Sequence, residues 1–253
     1  MKTGELTEVA LKAGEILLKS GAEIYRVEET IRRICRSYGV RCESFVLPTG
    51  IFVTVKAAEG AESYSSLTRI NQRTVDLHRI NLINGFSRRL DQSLMSYEAA
   101  LDELSQIENL RPYPFAVRLV VAGIAAFVFT LLFKGSVYES IIAAIIGILI
   151  FTVREILSGT GLFQFFELFV SGLVAGAAGI FSVGLFPEFH LFKIIIGSIM
   201  MLLPGVAITN SIKDALYGDI VASISRLGEA AYVAAAVGAG VGIAVSVGLK
   251  WGL

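Results

Sequence analysis

The sequence predicts a membrane protein: an N-terminal soluble α+β domain followed by an α-helical bundle of five transmembrane helices. Two observations carry this. Residues 1–111 hold 15 of the 22 Lys and Arg and 15 of the 22 Asp and Glu, whereas residues 112–253 hold the remaining seven of each, placed almost entirely at the ends of apolar runs. Five of those runs, 115–133, 137–153, 165–186, 191–210 and 230–249, fall in or near the range of about 17–25 residues that a helix needs to cross a bilayer. The expected domains are therefore 1–111 and 112–253.

In chain order, Leu6, Val9, Ala13 and Leu17, then Ile24, Val27, Ile31, Ile34 and Tyr38 recur at three- and four-residue steps with charges between them, the period of an amphipathic helix. Ser20-Gly21 divides this stretch in two. Residues 44–47 (SFVL) and 51–55 (IFVTV) are short β-branched and aromatic runs, and Pro48-Thr49-Gly50 between them is turn chemistry joining two strands. Helical spacing returns over 74–90 and 96–110. About a hundred residues are enough for such a domain to hold its own core.

Composition narrows the chemistry. A formal net charge of zero gives the whole molecule no electrostatic footprint for nucleic acid. Cys35 and Cys42 lack a CxxC pair or a neighbouring His, so they read as reduced structural thiols and no metal site is expected. His78 lies two residues after Asp76, but no G-x-S-x-G elbow, P-loop or HExxH is present, which makes catalysis the minor reading and implies no cofactor. Glu23, Arg26 and Glu29 or Thr30 share a helix face, either a solvated face with ion pairs or a surface for a ligand or partner. The N-terminus shows no continuous apolar stretch of a cleavable signal, so the first domain is expected in the cytoplasm and, after five spans, the C-terminus outside.

Within the spans Arg118, Glu139, Glu167 and Lys193 all lie near a span end, and no charge is expected at the bilayer midplane. Two arrangements remain: a polar site at a broken helix, or a site completed by another subunit. The fourth run contains Pro204-Gly205, where a donor is lost and the backbone is free to deform. Beyond it, 211–229 is expected to continue helical with Ile212, Leu216, Ile220, Ile224 and Leu227 on one side and Asn210, Asp214 and Tyr217 on another, either as an interfacial helix or as an extension of the span. Gly172-x3-Gly176 and Gly238-x3-Gly242 are spacings for close helix approach, within the chain or in a homo-oligomer.

Three stretches, SGAEIYRVEETI at 20–31, PTGIFVTV at 48–55 and LLPGVAITNSIKDALYGDIVASISRLGEA at 202–230, resemble the threonine/serine exporter family, and the five-span arrangement is most similar to its shorter, YjjP-like members. The resemblance implies an inner-membrane exporter of small hydrophilic metabolites, either threonine/serine-type amino acids or succinate-type dicarboxylates. Because the chain ends at Leu253 after five spans, it also implies a second small integral-membrane subunit that completes the transporter. Mapped here, the family motif marks Pro204, Gly205, Thr209, Asn210, Asp214, Gly218, Asp219 and Arg226, with Glu23, Tyr25, Arg26 and Glu28 in the N-terminal motif. In that reading Pro204-Gly205 opens the helix, Thr209 and Asn210 offer hydrogen bonds to substrate, and Asp214, Asp219 and Arg226 form a gate at the inner mouth. Arg226 could alternatively bind a substrate carboxylate directly. The competing reading is a membrane-anchored hydrolase, or a solute-sensing regulatory subunit, acting through the N-terminal domain.

Overall fold

The computed structural model describes residues 1–56, 63–71, 73–159 and 163–250. It divides into two units, Met1–Arg111 with Val206–Gly228, and Pro112–Gly205 with Glu229–Leu253. The first unit thus takes in 206–228, which the sequence reading places with the membrane half. The expected location of the C-terminus at Leu253 lies outside the described residues.

In the first unit, α1 (Thr3–Lys19) and α2 (Ile24–Ser37) form the two halves of the expected helical stretch. Gly21 (φ 83°) stops α1, and Gly39 (φ 73°) stops α2. At each, the glycine amide bonds back three residues and the next amide five: Gly21 to Leu18 and Ala22 to Leu17, Gly39 to Arg36 and Val40 to Cys35. This is the Schellman stop, which favours glycine because other residues resist positive φ. Strands β1 (Arg41–Leu47) and β2 (Gly50–Lys56) pair antiparallel across Pro48-Thr49, with Leu47 opposite Gly50.

A third strand, β3 (Tyr64–Arg69), completes the order β1-β2-β3. The sequence pattern does not announce it: YSSLTR has one aliphatic residue and reads as polar loop, and its position at the sheet edge makes few demands on hydrophobicity. One face of the sheet buries Val46, Ile51, Val53 and Val55 among Leu6, Leu17, Ile24, Ile31 and Ile34. Helix α3 (Leu77–Leu90) starts later than the spacing implies, because Asp76 caps it by accepting from Arg79 N at 2.9 Å. Helix α4 (Tyr97–Glu108) is capped by Ser96, whose hydroxyl accepts from Ala99 N. His78 is exposed on α3.

The second unit holds α5 (Phe115–Leu132), α6 (Val137–Ser158), α7 (Gln164–Leu185) and α8 (Leu191–Ile199). Ala143, Ile146, Ile150, Leu168, Ala175, Ile194, Ala236 and Val237 form its interior, whereas Val120, Ile124, Val128, Ile141 and Ile145 point outward. A helix surface that is apolar on the outside is stable in hydrocarbon rather than in water.

Among the described residues, four helices are long and apolar enough to cross a membrane: α5, α6, α7 and α10 (Ile220–Lys250). The fourth expected span is not one continuous helix. After α8 the chain makes a 3₁₀ turn, Met200–Leu202, passes through an extended Leu203, and restarts as α9 (Gly205–Leu216), the two pieces being bent by 61°. Pro204 is the cause, since it has no N–H to donate, and the Met200 carbonyl accepts from Leu203 N at 3.3 Å instead. If the bent pair counts as a single span, the total is five.

The expected continuous helix over 211–229 is also interrupted. Helix α9 stops at a third Schellman motif, with Gly218 at φ 90°, Gly218 N on Ala215 O and Asp219 N on Asp214 O, and α10 then runs unbroken through the fifth expected span.

Close approaches in the second unit rest on glycine. A Cβ added to Gly147 would lie 2.7 Å from that of Ala126, and one on Gly176 would lie 2.6 Å from that of Ala244. Gly172 faces the Val237 carbonyl, and Gly240 lies against Phe169 and Leu173. Gly238 and Gly242 face open space within the chain, which leaves only the expected contact between subunits for them, and on α10 Gly240 and Gly248 pack against α7. Glu139 is buried at the start of α6 and accepts from Ser136 N and His190 N, both at 2.6 Å, and meets His190 Nδ1 at 2.8 Å. One carboxylate thereby serves the N-termini of α6 and α8. The Ser136-x-x-Glu139 capping box is legible in the sequence; its link to His190 is not.

Candidate functional site

The corner between α1 and α2 leaves three polar backbone groups without partners in their own helices. The Schellman turn at Gly21 directs the Gly21 and Ala22 carbonyls away from α1. Helix α2 begins at Ile24 with Glu23 as its N-cap, and Glu23 makes no side-chain cap bond. Orphan groups of this kind must find partners when buried. All three find them on the α9–α10 hairpin: Asn210 Nδ2 donates to Gly21 O at 2.9 Å, Arg226 Nη2 donates to Ala22 O at 2.7 Å, and Ile24 N donates to Asp214 Oδ1 at 3.1 Å. The N-cap of α2 is thus supplied by a residue 190 positions away. On its other side the corner is closed by Thr74, whose carbonyl would lie 2.9 Å from a Cβ on Gly21.

The hairpin is shaped for this contact. Asn210 and Asp214 are one turn apart on α9. Arg226 Nε on α10 lies 2.9 Å from Asp214 Oδ2. Ser211 Oγ donates to Ser223 O at 2.9 Å, tying the two helices together, and Ala222 enters the core of the first unit. Asp214 is 0 % exposed, Arg226 4 % and Asn210 6 %. Buried charges at this depth survive when paired and hydrogen-bonded, as these are.

A more exposed rim surrounds the buried trio. Lys213 Nζ lies 2.9 Å from Glu23 Oε1, and Arg26 Nε lies 3.0 Å from Glu23 Oε2. Burial alone would raise the Glu23 carboxyl, but the Lys213 hydrogen bond, its own backbone amide and Arg26 together hold it below the ordinary range. Tyr25 and Tyr217 stack with centroids 3.9 Å apart. Glu28 accepts from Val46 N at 3.3 Å, and its carboxyl is pushed up by burial, with the Asp219 charge adding to the rise. Burial likewise raises Asp219.

Of the residues singled out in the sequence, Glu23, Tyr25, Arg26, Glu28, Asn210, Asp214, Asp219 and Arg226 come together here. Pro204 and Gly205 instead form the break before α9, and Thr209 sits on an exposed side of α9. Lys213 escapes sequence reasoning because nothing in a lone lysine beside an aspartate marks a partner 190 residues away. Among the described residues, no group of three His, Cys, Asp or Glu side chains is placed to hold a metal ion.

The two sequence stretches that meet at this corner also lie inside a longer match. The threonine/serine exporter family model, ThrE, matches residues 8–248. The chain belongs to the threonine/serine exporter family. Similar members of this exporter family include a protein described as a probable threonine/serine exporter from Mycobacterium tuberculosis, 23 % identical over 94 % of this chain and 45 % of that protein. The threonine/serine exporter of Corynebacterium glutamicum is 24 % identical over 87 % of this chain and 47 % of its own length. The probable succinate transporter subunit YjjP of Escherichia coli is 23 % identical over 98 % of this chain and 95 % of its own length. The chain therefore spans about half the length of the two threonine/serine exporters and nearly all of YjjP. No solved structure matches it.

Proposed function

We propose that the chain is a subunit of an inner-membrane exporter of small hydrophilic metabolites, with the first unit on the cytoplasmic side and the end of α10 outside. The observation that carries this reading is the break at Leu203–Gly205. The apolar piece Leu191–Leu202 is about 18 Å long at about 1.5 Å per residue, well short of a hydrocarbon core of about 30 Å. Its C-terminal carbonyls end where Pro204 brings no donor, so polar backbone is presented inside an apolar run, as at the broken helices of transporters. Pro204, Gly205 and Thr209 border the substrate route in this reading. Asn210, Asp214 and Arg226, whose polar groups are engaged with the α1–α2 corner, act as positioning residues that fix α9 and the start of α10, and Asp219 and Glu28 form the charged rim at the inner mouth.

The outward apolar side of the hairpin, with Ile212, Leu216, Ile220, Ile224 and Leu227 all exposed, supports a position of the hairpin at the membrane interface. The "subunit" in the printed name of YjjP supports a small integral-membrane partner. Relatives named for threonine/serine and for succinate leave two carboxylate-bearing substrate classes.

The test is efflux of labelled serine, threonine and succinate from cells lacking their own exporters, expressing this chain with and without a candidate partner. Efflux of one class, lost in Pro204→Ala and in Thr209→Val at normal protein levels, is the expected result. No efflux of any of the three with both proteins in the membrane, or full efflux by both variants, overturns the reading.

A further inference from the structure

The two cysteines occupy unequal surroundings on neighbouring elements, α2 and β1. Cys35 lies in the last turns of α2 and is fully buried, while Cys42, the second residue of β1, is half-buried. The Cys42 thiol points at α2, with Sγ 3.8 Å from the Ile31 carbonyl one turn before Cys35. Both sulfurs pack on the same core as Ile31 and Ile34, and the strand pairing of Cys42 with Val55 holds it in register there. The Cys35 side chain and the nearby Arg32 guanidinium, working against burial, hold the Cys42 thiol below its ordinary value, while the Cys42 side chain and burial push Cys35 up. A partly exposed cysteine facing the helix that carries a buried second one is the arrangement of an attacking and a resolving cysteine.

We propose that Cys42 and Cys35 are a reversible dithiol switch, with Cys42 the peroxide-reactive thiol and Cys35 the resolving one, closing α2 onto β1 by a disulfide. The Cys42 thiolate attacks one oxygen of a hydroperoxide, the O–O bond breaks, hydroxide or alkoxide leaves, and Cys42 becomes a sulfenic acid. The Cys35 sulfur then attacks the Cys42 sulfur, the S–O bond breaks, and water leaves with the Cys35 proton. The two thiols are oxidised and one peroxide is reduced; a small thiol such as glutathione reverses the step by exchange. The intramolecular loop spans residues 35–42 and joins two elements already in contact.

The full-length protein in detergent is titrated with hydrogen peroxide, free thiols are blocked by alkylation, and tryptic peptides are read by mass spectrometry. Cleavage at Arg36 and Arg41 separates the two cysteines, so a disulfide appears as peptide 34–36 linked to peptide 42–56. The expected result is a linked peptide that grows with peroxide and disappears on reduction. In Cys35→Ser, Cys42 accumulates as a dimedone-reactive sulfenic acid; in Cys42→Ser, Cys35 stays alkylatable only after unfolding. Wild-type protein in which Cys42 proceeds to the sulfinic acid without linked peptide, or in which Cys35 reacts first, overturns the proposal.

Discussion

Asp214 does two things with one carboxylate: it caps Ile24 and balances Arg226, in a place closed to solvent. Removing one partner of a buried pair leaves the other uncompensated, which costs about 3–5 kcal/mol, and loss of a helix cap adds about 1 kcal/mol. Asp214→Ala is therefore expected to destabilise the first unit by several kcal/mol, read as a fall in denaturation midpoint of the purified protein. Asp214→Asn, which keeps an acceptor for Ile24 N, should cost less.

Glu23 behaves differently because its tie to Lys213 is at the rim. Its carboxyl is lowered in the folded state, so the tie contributes fully above the ordinary glutamate value of about 4.3 and is lost as pH falls through the lowered folded value. Acid titration of unfolding should show this loss below about pH 4, and Lys213→Met should shrink it. An acid profile identical in the variant and wild type would mean that Lys213 is not what holds Glu23 ionised.

At the scale of elements, glycine placement separates contact from appearance. Gly240 faces Phe169 and Leu173 without room for a methyl group, whereas Gly238 faces open space. Gly240→Ala is expected to loosen α7 from α10 and to reduce folded yield and thermal stability in detergent. Gly238→Ala should be neutral or stabilising by up to about 1 kcal/mol, because alanine suits a helix interior better. The sequence spacing points to Gly238 and Gly242, since a regular x3 interval is visible in one dimension and a facing carbonyl is not.

The same distinction governs what else can be read in advance. Helices α1 to α7 follow from period and from apolar length, because each buries a face defined by its own residues. The break at Pro204 follows from a missing N–H. Strand β3 is illegible because edge position, rather than composition, makes it a strand. The cluster at the α1–α2 corner is illegible for another reason: Gly21, Ala22 and Ile24 contribute backbone groups, which carry no side-chain signature. Asn210, Asp214 and Arg226 stand out as a group through the motif that carries the family resemblance, while their partners stay out of view.

For the whole molecule, the first unit is assembled from two separate stretches, 1–111 and 206–228. A fragment ending at Arg111 exposes the surface that Ala222 covers and leaves three backbone groups without their partners. We expect that fragment to melt broadly and at low temperature by circular dichroism. A version in which 206–228 is joined to it through a Gly/Ser linker should melt cooperatively and higher, with Arg226→Met in the linked version reversing the gain. Equal melting of the two fragments would show that the hairpin adds nothing to the unit's stability.

That discontinuity also sets a timetable for biosynthesis. A ribosome adding about 5–20 residues per second needs roughly 5 to 20 s to make residues 112–205 after Arg111 has been added. Throughout that interval the nascent first unit lacks its hairpin, while the apolar helices behind it are being delivered to the membrane. The protein therefore completes its N-terminal unit late, and its most vulnerable moment for chaperone capture or proteolysis falls before residue 228 is synthesised rather than at the end of the first 111 residues.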